Sequence, residues 1–269
     1  MGALKAMFSF FTMIRLDIRQ EDMDAMDRRF WMVPVVGALY GLIAAVMMTF
    51  LTRFDFVDPL VAAVITFFVI FAFNRFLHID GTIDVGDGLV VAGTKEDHLR
   101  ALKDSRIGAG GMAFALMVIL MTITMASSIP FLAWMAVLLF TAEVLAKVGM
   151  VSAAAFGEPG TGMAGNSVRN TSVGSLIIAT VLAILLIAAF GVFIHLMGTY
   201  TDMVALPGSD HCIILLTASV VVSILTGIIM SRTAKRNFGM VNGDVLGATN
   251  EITRATVLLT FLIIMSVML

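Results

Sequence analysis

Cysteine occurs once, at Cys212, so the chain can form no internal disulfide and no cysteine-based metal cluster. Charge is scarce as well. Asp, Glu, Lys and Arg make up 13% of the 269 residues, against about a quarter in a soluble domain. A net charge of −2 gives no electrostatic footing for nucleic acid as a partner. The first apolar run, "MGALKAMFSFFTMIRL", lacks a small-residue cleavage site and gives way to "DIRQEDMDAMDRR". The expectation there is an amphipathic or partly inserted helix lying on the membrane, not a signal peptide. "MGALKA" also lacks the hydroxyl residue of a myristoylation signal.

What is present in quantity is apolar sequence, with a mean hydropathy of +1.01. Runs long enough to cross a hydrocarbon core of about 30 Å recur along the chain. They predict an all-α, polytopic membrane helix bundle with seven crossings and the N-terminal amphipathic helix, in a single integral-membrane domain over 1–269. The crossings are expected near 31–52, 58–77, 109–127, 129–154, 174–198, 211–231 and 254–269. The last is short and is expected to extend upstream into "GATNEI" or to tilt. No internal repeat stands out, and glycines in the first and third spans allow close helix packing.

Basic residues fall on alternate loops. Lys5, Arg15, Arg19, Arg28 and Arg29 precede the first span; Arg75, Lys95, Arg100, Lys103 and Arg106 lie around the loop after the second. Lys147 and Arg169 flank the next, and Arg232, Lys235, Arg236 and Arg254 follow the sixth span. On the other side only Arg53 appears, and "GTYTDMVALPGSDH" has no basic residue. The positive-inside rule then predicts a cytoplasmic membrane protein with its N-terminus in the cytoplasm and its C-terminus outside.

Polar clusters concentrate on that same cytoplasmic side, in segments 78–108, 155–173 and 232–253. In "HIDGTIDVGDG", residues 78–88, a helix would hold Asp80, Asp84 and Asp87 within an arc of about 60°. Three like charges at a membrane boundary are costly unless divalent cations sit among them. Oxygen-only ligands suit Mg²⁺ or Mn²⁺ better than zinc. His78 would face the other way and joins such a site only if the backbone unwinds. The plain alternative is a solvated, glycine-rich loop end. In "LKDSRIGAGG", Asp104, Ser105 and Arg106 precede a glycine-rich helix start, a natural phosphate site or simply a helix cap.

"SRTAKRNFGMVNGDVLGATNE" places Asp244 and Glu251 two turns apart on one face, after Asn242. Arg232, Lys235 and Arg236 suit a nucleotide's phosphates or anionic lipid. "FGEPGTGMAGNSVRN" is a glycine-rich loop of the kind that closes over a ligand. Within the fourth span Glu143 and Lys147, four apart, are expected to pair. His98, His195 and His211 have no neighbours at ligand spacing.

"HIDGTIDVGDG" resembles the H-x-D-G-x-x-D-x-x-D-G motif of the cobalamin synthase family, the adenosylcobinamide-GDP ribazoletransferases. "KDSRIG" is similar to that family's R-D-S-R-x-G element and "NGDVLGATNE" to its T-G-D-x-x-G-A segment, with Asn242 in place of the threonine. "RRFWMVPVVG" and "FTMIR" resemble its opening stretches, the second without its proline, so the likeness runs nearly the whole chain.

The resemblance implies attack by α-ribazole or its 5′-phosphate on adenosylcobinamide-GDP, with loss of GMP and with Mg²⁺ as cofactor. It implies catalytic roles for His78, Asp80, Asp84, Asp87 and Arg106, with the three aspartates as metal ligands. Substrate binding would fall to Asp104, Ser105, Arg232, Arg236, Asn242, Asp244 and Glu251. The bilayer and both substrates are the expected partners, and a homo-oligomer is compatible with them. A CDP-alcohol phosphotransferase shares the logic, but its Ala-Arg pair after the D-G is missing. A cation-coupled transporter would carry ionisable groups deep in several spans, where only Glu143 and Lys147 are found.

Overall fold

The computed structural model describes residues 2–53, 57–129, 132–201 and 209–268. In chain order the helices are α1 (Gly2–Phe11), α2 (Gln20–Arg28), α3 (Pro34–Arg53), α4 (Pro59–Phe73), α5 (Leu77–Val90) and α6 (Lys95–Leu102). They continue as α7 (Ala109–Ser127), α8 (Leu132–Phe156), α9 (Gly162–Asn170), α10 (Val173–Thr201), α11 (Ser209–Asn237) and α12 (Gly243–Met268). Among the described residues there is no strand, only an isolated bridge between Pro159 and Val241. The polytopic helical bundle expected from the sequence is what forms. Part of the loop 198–211, residues 202–208, lies outside the described residues.

Helix α8 is the axis. Apart from Glu143 and Lys147 it is apolar nearly all round, and 94% of its hydrophobic stretch is buried, against 17% for α10. A helix apolar all round belongs either in a core or in lipid; α8 takes the first place and α10 the second. Helices α3, α10, α11 and α12 pack around α8. Small residues let them approach closely: a Cβ at Gly37 of α3 would stand 2.6 Å from the Glu143 carbonyl oxygen of α8.

Six helices are long and apolar enough to cross a membrane, and a seventh crossing arises if α4 and α5 count as one. The expected span at 58–77 ends early, because the chain turns by 92° between α4 and α5. Arg75 and Phe76 both sit at φ 57°, a left-handed conformation costly for residues with a Cβ. The turn is held from the N-terminal segment. The Arg75 Nη2 donates to the carbonyls of Ser9 (3.2 Å) and Phe10 (2.7 Å), and the Met13 amide donates to the Phe73 carbonyl (2.8 Å). The amphipathic helix α1 buries Ala3, Ala6, Met7 and Phe11 against the bundle. Helix α12 begins at Gly243, so the last span does extend upstream as expected.

Two expectations about charge are corrected here. Arg254, counted above with the loop cations, is fully buried within α12. Glu143 pairs with Arg254 rather than with Lys147, through bonds of 2.6 Å to Nε and 3.0 Å to Nη2. Neighbours at i and i+4 on one helix lose to a bidentate guanidinium on the helix packed against them.

Candidate active site

Because α5 swings across the bundle, its aspartates meet the start of α12. Gly81 makes this approach possible, since a Cβ there would stand 2.8 Å from the Asp244 backbone. Asp80 and Asp84 of α5 and Asp244 of α12 consequently share one electrostatic neighbourhood. Asp80 is exposed, and Asp84 and Asp244 are half-buried. No Lys, Arg or His nitrogen lies within ion-pair distance of these three among the described residues. Asn242 caps α12, its carbonyl and amide oxygens accepting from Leu246 and Val245, and its Nδ2 donates to Asp244 at 2.6 Å.

Asp87 has a different task. Its two carboxylate oxygens accept hydrogen bonds from the amides of Gly108 and Gly111, both 2.7 Å long. A side chain of α5 thus caps the N-terminus of α7, satisfying amides that the helix itself leaves free. The glycine-rich helix start expected to receive a phosphate is occupied by this carboxylate. Among the described residues, no three His, Cys, Asp or Glu side chains are placed to hold a metal ion by themselves. α5 stays helical from Leu77 onward, so no unwinding brings His78 round to the aspartates.

Asp80 and Asp244 stand at the rim of a cavity of about 110 Å³, or about 600 Å³ with its open mouth. The remaining wall is largely apolar, built from α1, α2, α9, α12 and the inner end of α5. His78 borders this cavity but is itself buried. Its Nε2 lies 3.5 Å from Lys147 Nζ and its Nδ1 lies 3.6 Å from Glu251 Oε1. Behind it Lys147 donates to Asn250 (2.8 Å) and Asn250 to Glu251 (3.0 Å). Arg254 bridges Glu251 to Glu143. Glu251 therefore belongs to a dry, partnered network and not to the open carboxylate group, although one helix carries both Glu251 and Asp244.

Arg106 is bound to Asp104 two residues before it, with Nε and Nη2 donating at 3.2 and 2.9 Å. Those bonds hold the Asp104 carboxyl below its ordinary range. Arg106 and Ser105 are exposed and Asp104 is half-buried, and the pair stands just before the Gly108 amide that Asp87 caps. Arg232 and Arg236 are exposed along the last turns of α11, while Lys235 between them pairs with Glu158 at 2.7 Å. The glycine-rich segment at 156–170 is not a free flap. The Val241 amide donates to the Glu158 carbonyl (2.7 Å) and the Gly160 amide to the Val241 carbonyl (3.1 Å), after which α9 begins.

Sequence reasoning missed Asp27 and Ser167. Ser167 Oγ donates to the buried Asp27 carboxylate at 2.6 Å, fastening α2 to α9 over the cavity. Burial raises the Asp27 carboxyl above its ordinary range, against the pull of that hydrogen bond. An aspartate in a charged amphipathic segment carries no local mark of burial; only the contact across 140 residues reveals it.

Fold and site together define a polytopic membrane protein with an acidic, unneutralised cluster beside an apolar cavity at one end of its bundle. The chain belongs to the cobalamin-5-phosphate synthase family, whose profile matches residues 3–262. It is similar to adenosylcobinamide-GDP ribazoletransferases of Methanosarcina barkeri, 29% identical over 99% of this chain and 94% of the relative, and of Methanocella arvoryzae, 32% identical over 96% and 94%. A protein of the same name from Thermococcus gammatolerans is 33% identical over 68% of each chain. No solved structure matches the chain.

Proposed function

We propose that this chain carries out the transfer its relatives are named for, joining adenosylcobinamide-GDP to α-ribazole or its 5′-phosphate. The observation that carries this reading is the carboxylate group Asp80, Asp84 and Asp244, without a basic partner among the described residues, two of whose members, Asp80 and Asp244, line an apolar cavity. A hydroxyl of the ribazole attacks the phosphorus bearing the corrinoid side chain. A new P–O ester bond forms, the pyrophosphate P–O bond breaks, and GMP leaves with the electron pair. A carboxylate of this group that does not hold the metal can take the hydroxyl proton. His78, with both ring nitrogens turned toward Lys147 and Glu251, acts as a positioning residue that fixes the inner end of α5.

Mg²⁺ fits the donor set. The three carboxylates are oxygen ligands without a competing cation. Mg²⁺ commonly takes one or two carboxylates plus substrate phosphates, so a cage of three protein ligands is not required. One or two of Asp80, Asp84 and Asp244 would hold it together with the substrate's phosphates, while Asp87 stays with its amides. When bound, the ion would neutralise charge on the pyrophosphate. Arg106, Arg232 and Arg236, all exposed near this end, are suited to the outer phosphates and the nucleotide.

The basic residues around this end support a site on the cytoplasmic side of the cell membrane under the positive-inside rule, even with the buried Arg254 and Lys147 removed from the count. The test is product analysis with purified protein. One GMP should be released per corrinoid joined when adenosylcobinamide-GDP, α-ribazole and Mg²⁺ are all supplied, and chelation should stop it. Corrinoid consumption without GMP release would refute the reaction.

A further inference from the structure

Three residues in a row at the turn between α4 and α5 are held against their own preferences. Asn74 is fully buried, yet neither its Oδ1 nor its Nδ2 has a hydrogen-bond partner among the described residues. Arg75 and Phe76 both lie at φ 57°, with no glycine to make that conformation easy. Unsatisfied polar groups and left-handed residues of this kind persist only where the surrounding structure imposes them. The turn therefore needs support from outside its own segment.

That support is the end of α1, and the two helix ends complete each other. In an unbroken helix the Leu77 amide would bond to the Phe73 carbonyl. Here it goes to the Asn74 carbonyl (3.2 Å), and the Met13 amide takes its place on Phe73 (2.8 Å). In return, the last carbonyls of α1, which that helix leaves free, receive donors from the bundle. Arg75 Nη2 serves Ser9 and Phe10 at 3.2 and 2.7 Å, and the Tyr40 hydroxyl of α3 serves Phe11. The dipole of α1 also favours a guanidinium at its C-terminal end. Beyond the turn, the Phe76 carbonyl accepts from the Asp80 amide (2.9 Å), so a strained residue starts the helical turn that carries the first carboxylate.

We infer that Arg75 is a positioning residue for the carboxylate group. By tying the turn to the end of α1 it keeps α5 across the bundle, and so keeps Asp80 and Asp84 beside Asp244. Residues 9–13 thereby act as a splint for the site, a task distinct from anchoring at a membrane surface. The consequence for turnover rests on the transfer reading above; the consequence for geometry does not.

The geometry is read as a distance in the full-length protein, without substrate. Spin labels on Leu60→Cys and Val90→Cys, both exposed positions, in a Cys212→Ser background mark the far ends of α4 and α5. Bent, these ends lie about 30 Å apart, and in one unbroken helix they would lie about 45 Å apart. Arg75→Gln and Arg75→Ala remove the donors in steps and should spread the distribution progressively toward the longer distance. Arg75→Lys keeps a charged donor for the same carbonyls and should hold the short peak. An unchanged distribution in whichever of the Gln and Ala variants is recovered folded would overturn the inference. So would a Lys variant as displaced as the Ala one.

Turnover gives a second readout. GMP release should fall by about tenfold or more with Ala, because small misplacements of reacting groups are costly, and should be largely retained with Lys. Parental turnover in a variant whose labels have moved apart would overturn the assignment of Arg75 to the site. If the unaltered enzyme releases no GMP, the transfer reading fails by itself, and the label distances still decide whether Arg75 holds the turn.

Discussion

Two groups of charges lie within a few turns of each other on α12, and they are built on opposite principles. Around Arg254, two acids and two bases are enclosed together: Glu143 and Glu251 against Arg254 and Lys147, with Asn250 relaying between them. At Asp244 the charges are all of one sign, with Asp80 exposed and Asp84 and Asp244 half-buried, and among the described residues no base comes within ion-pair distance. Buried ions persist only when paired and hydrogen-bonded. Like charges crowded together persist when something outside the chain neutralises them, the part proposed above for Mg²⁺. One group holds helices α8 and α12 together. The other is the group proposed above to meet the substrate.

The sharpest way to break this contrast is Arg254→Met. It leaves Glu143 and Glu251 buried without their guanidinium, and breaking a buried pair in this way costs about 3–5 kcal/mol. The variant should be recovered in poor yield or melt far earlier than the parent. Glu143→Gln and Glu251→Gln added to it should restore much of the loss. A single variant as stable as the parent would mean that the network contributes nothing to the bundle.

The open group should respond the other way. Asp80→Asn and Asp244→Asn are expected to lower turnover by about 10²-fold or more, as when a preorganised electrostatic group is removed. Their melting temperatures should hold or rise, because like charges have been thinned. Asp87→Asn divides the three aspartates of the motif: it should lower stability by about 1 kcal/mol, because Asn cannot accept from both capped amides. Calorimetry alongside a GMP assay separates these outcomes. An Asp87 variant with parental stability and no turnover would return that residue to the reacting group.

The smallest effect belongs to Asp27, whose carboxyl is raised by burial. A raised carboxyl binds its proton more tightly in the folded chain. Its stability contribution is therefore present below the ordinary aspartate value and is lost as pH rises through the folded one. Melting temperatures taken from about pH 4 to about pH 7 should decline in the parent, and Asp27→Asn should flatten the decline while keeping a partner for Ser167. An identical slope in both proteins would show that Asp27 is ionised at no cost.

The sequence by itself determined the class of the molecule. Apolar runs of membrane length and the loop basic residues are local patterns, so the helices, the amphipathic N-terminus and the extended last span were legible without contacts. The aspartate motif was legible too, because its spacing lies within one helix.

The tertiary structure decided what each charge does. Periodicity put Asp87 beside Asp84, but only the approach of α7 gave it two amides to cap. Sequence distance paired Glu143 with Lys147, while the packing of α8 on α12 gave it Arg254, 111 residues away. Glu251 shares a helix face with Asp244 and still falls in the dry network, because burial changes within two turns of α12. The apolar wall of the cavity comes from segments whose nearness no local pattern records. Charges are settled by whichever partner arrives in space, and the chain order fixes only who can arrive.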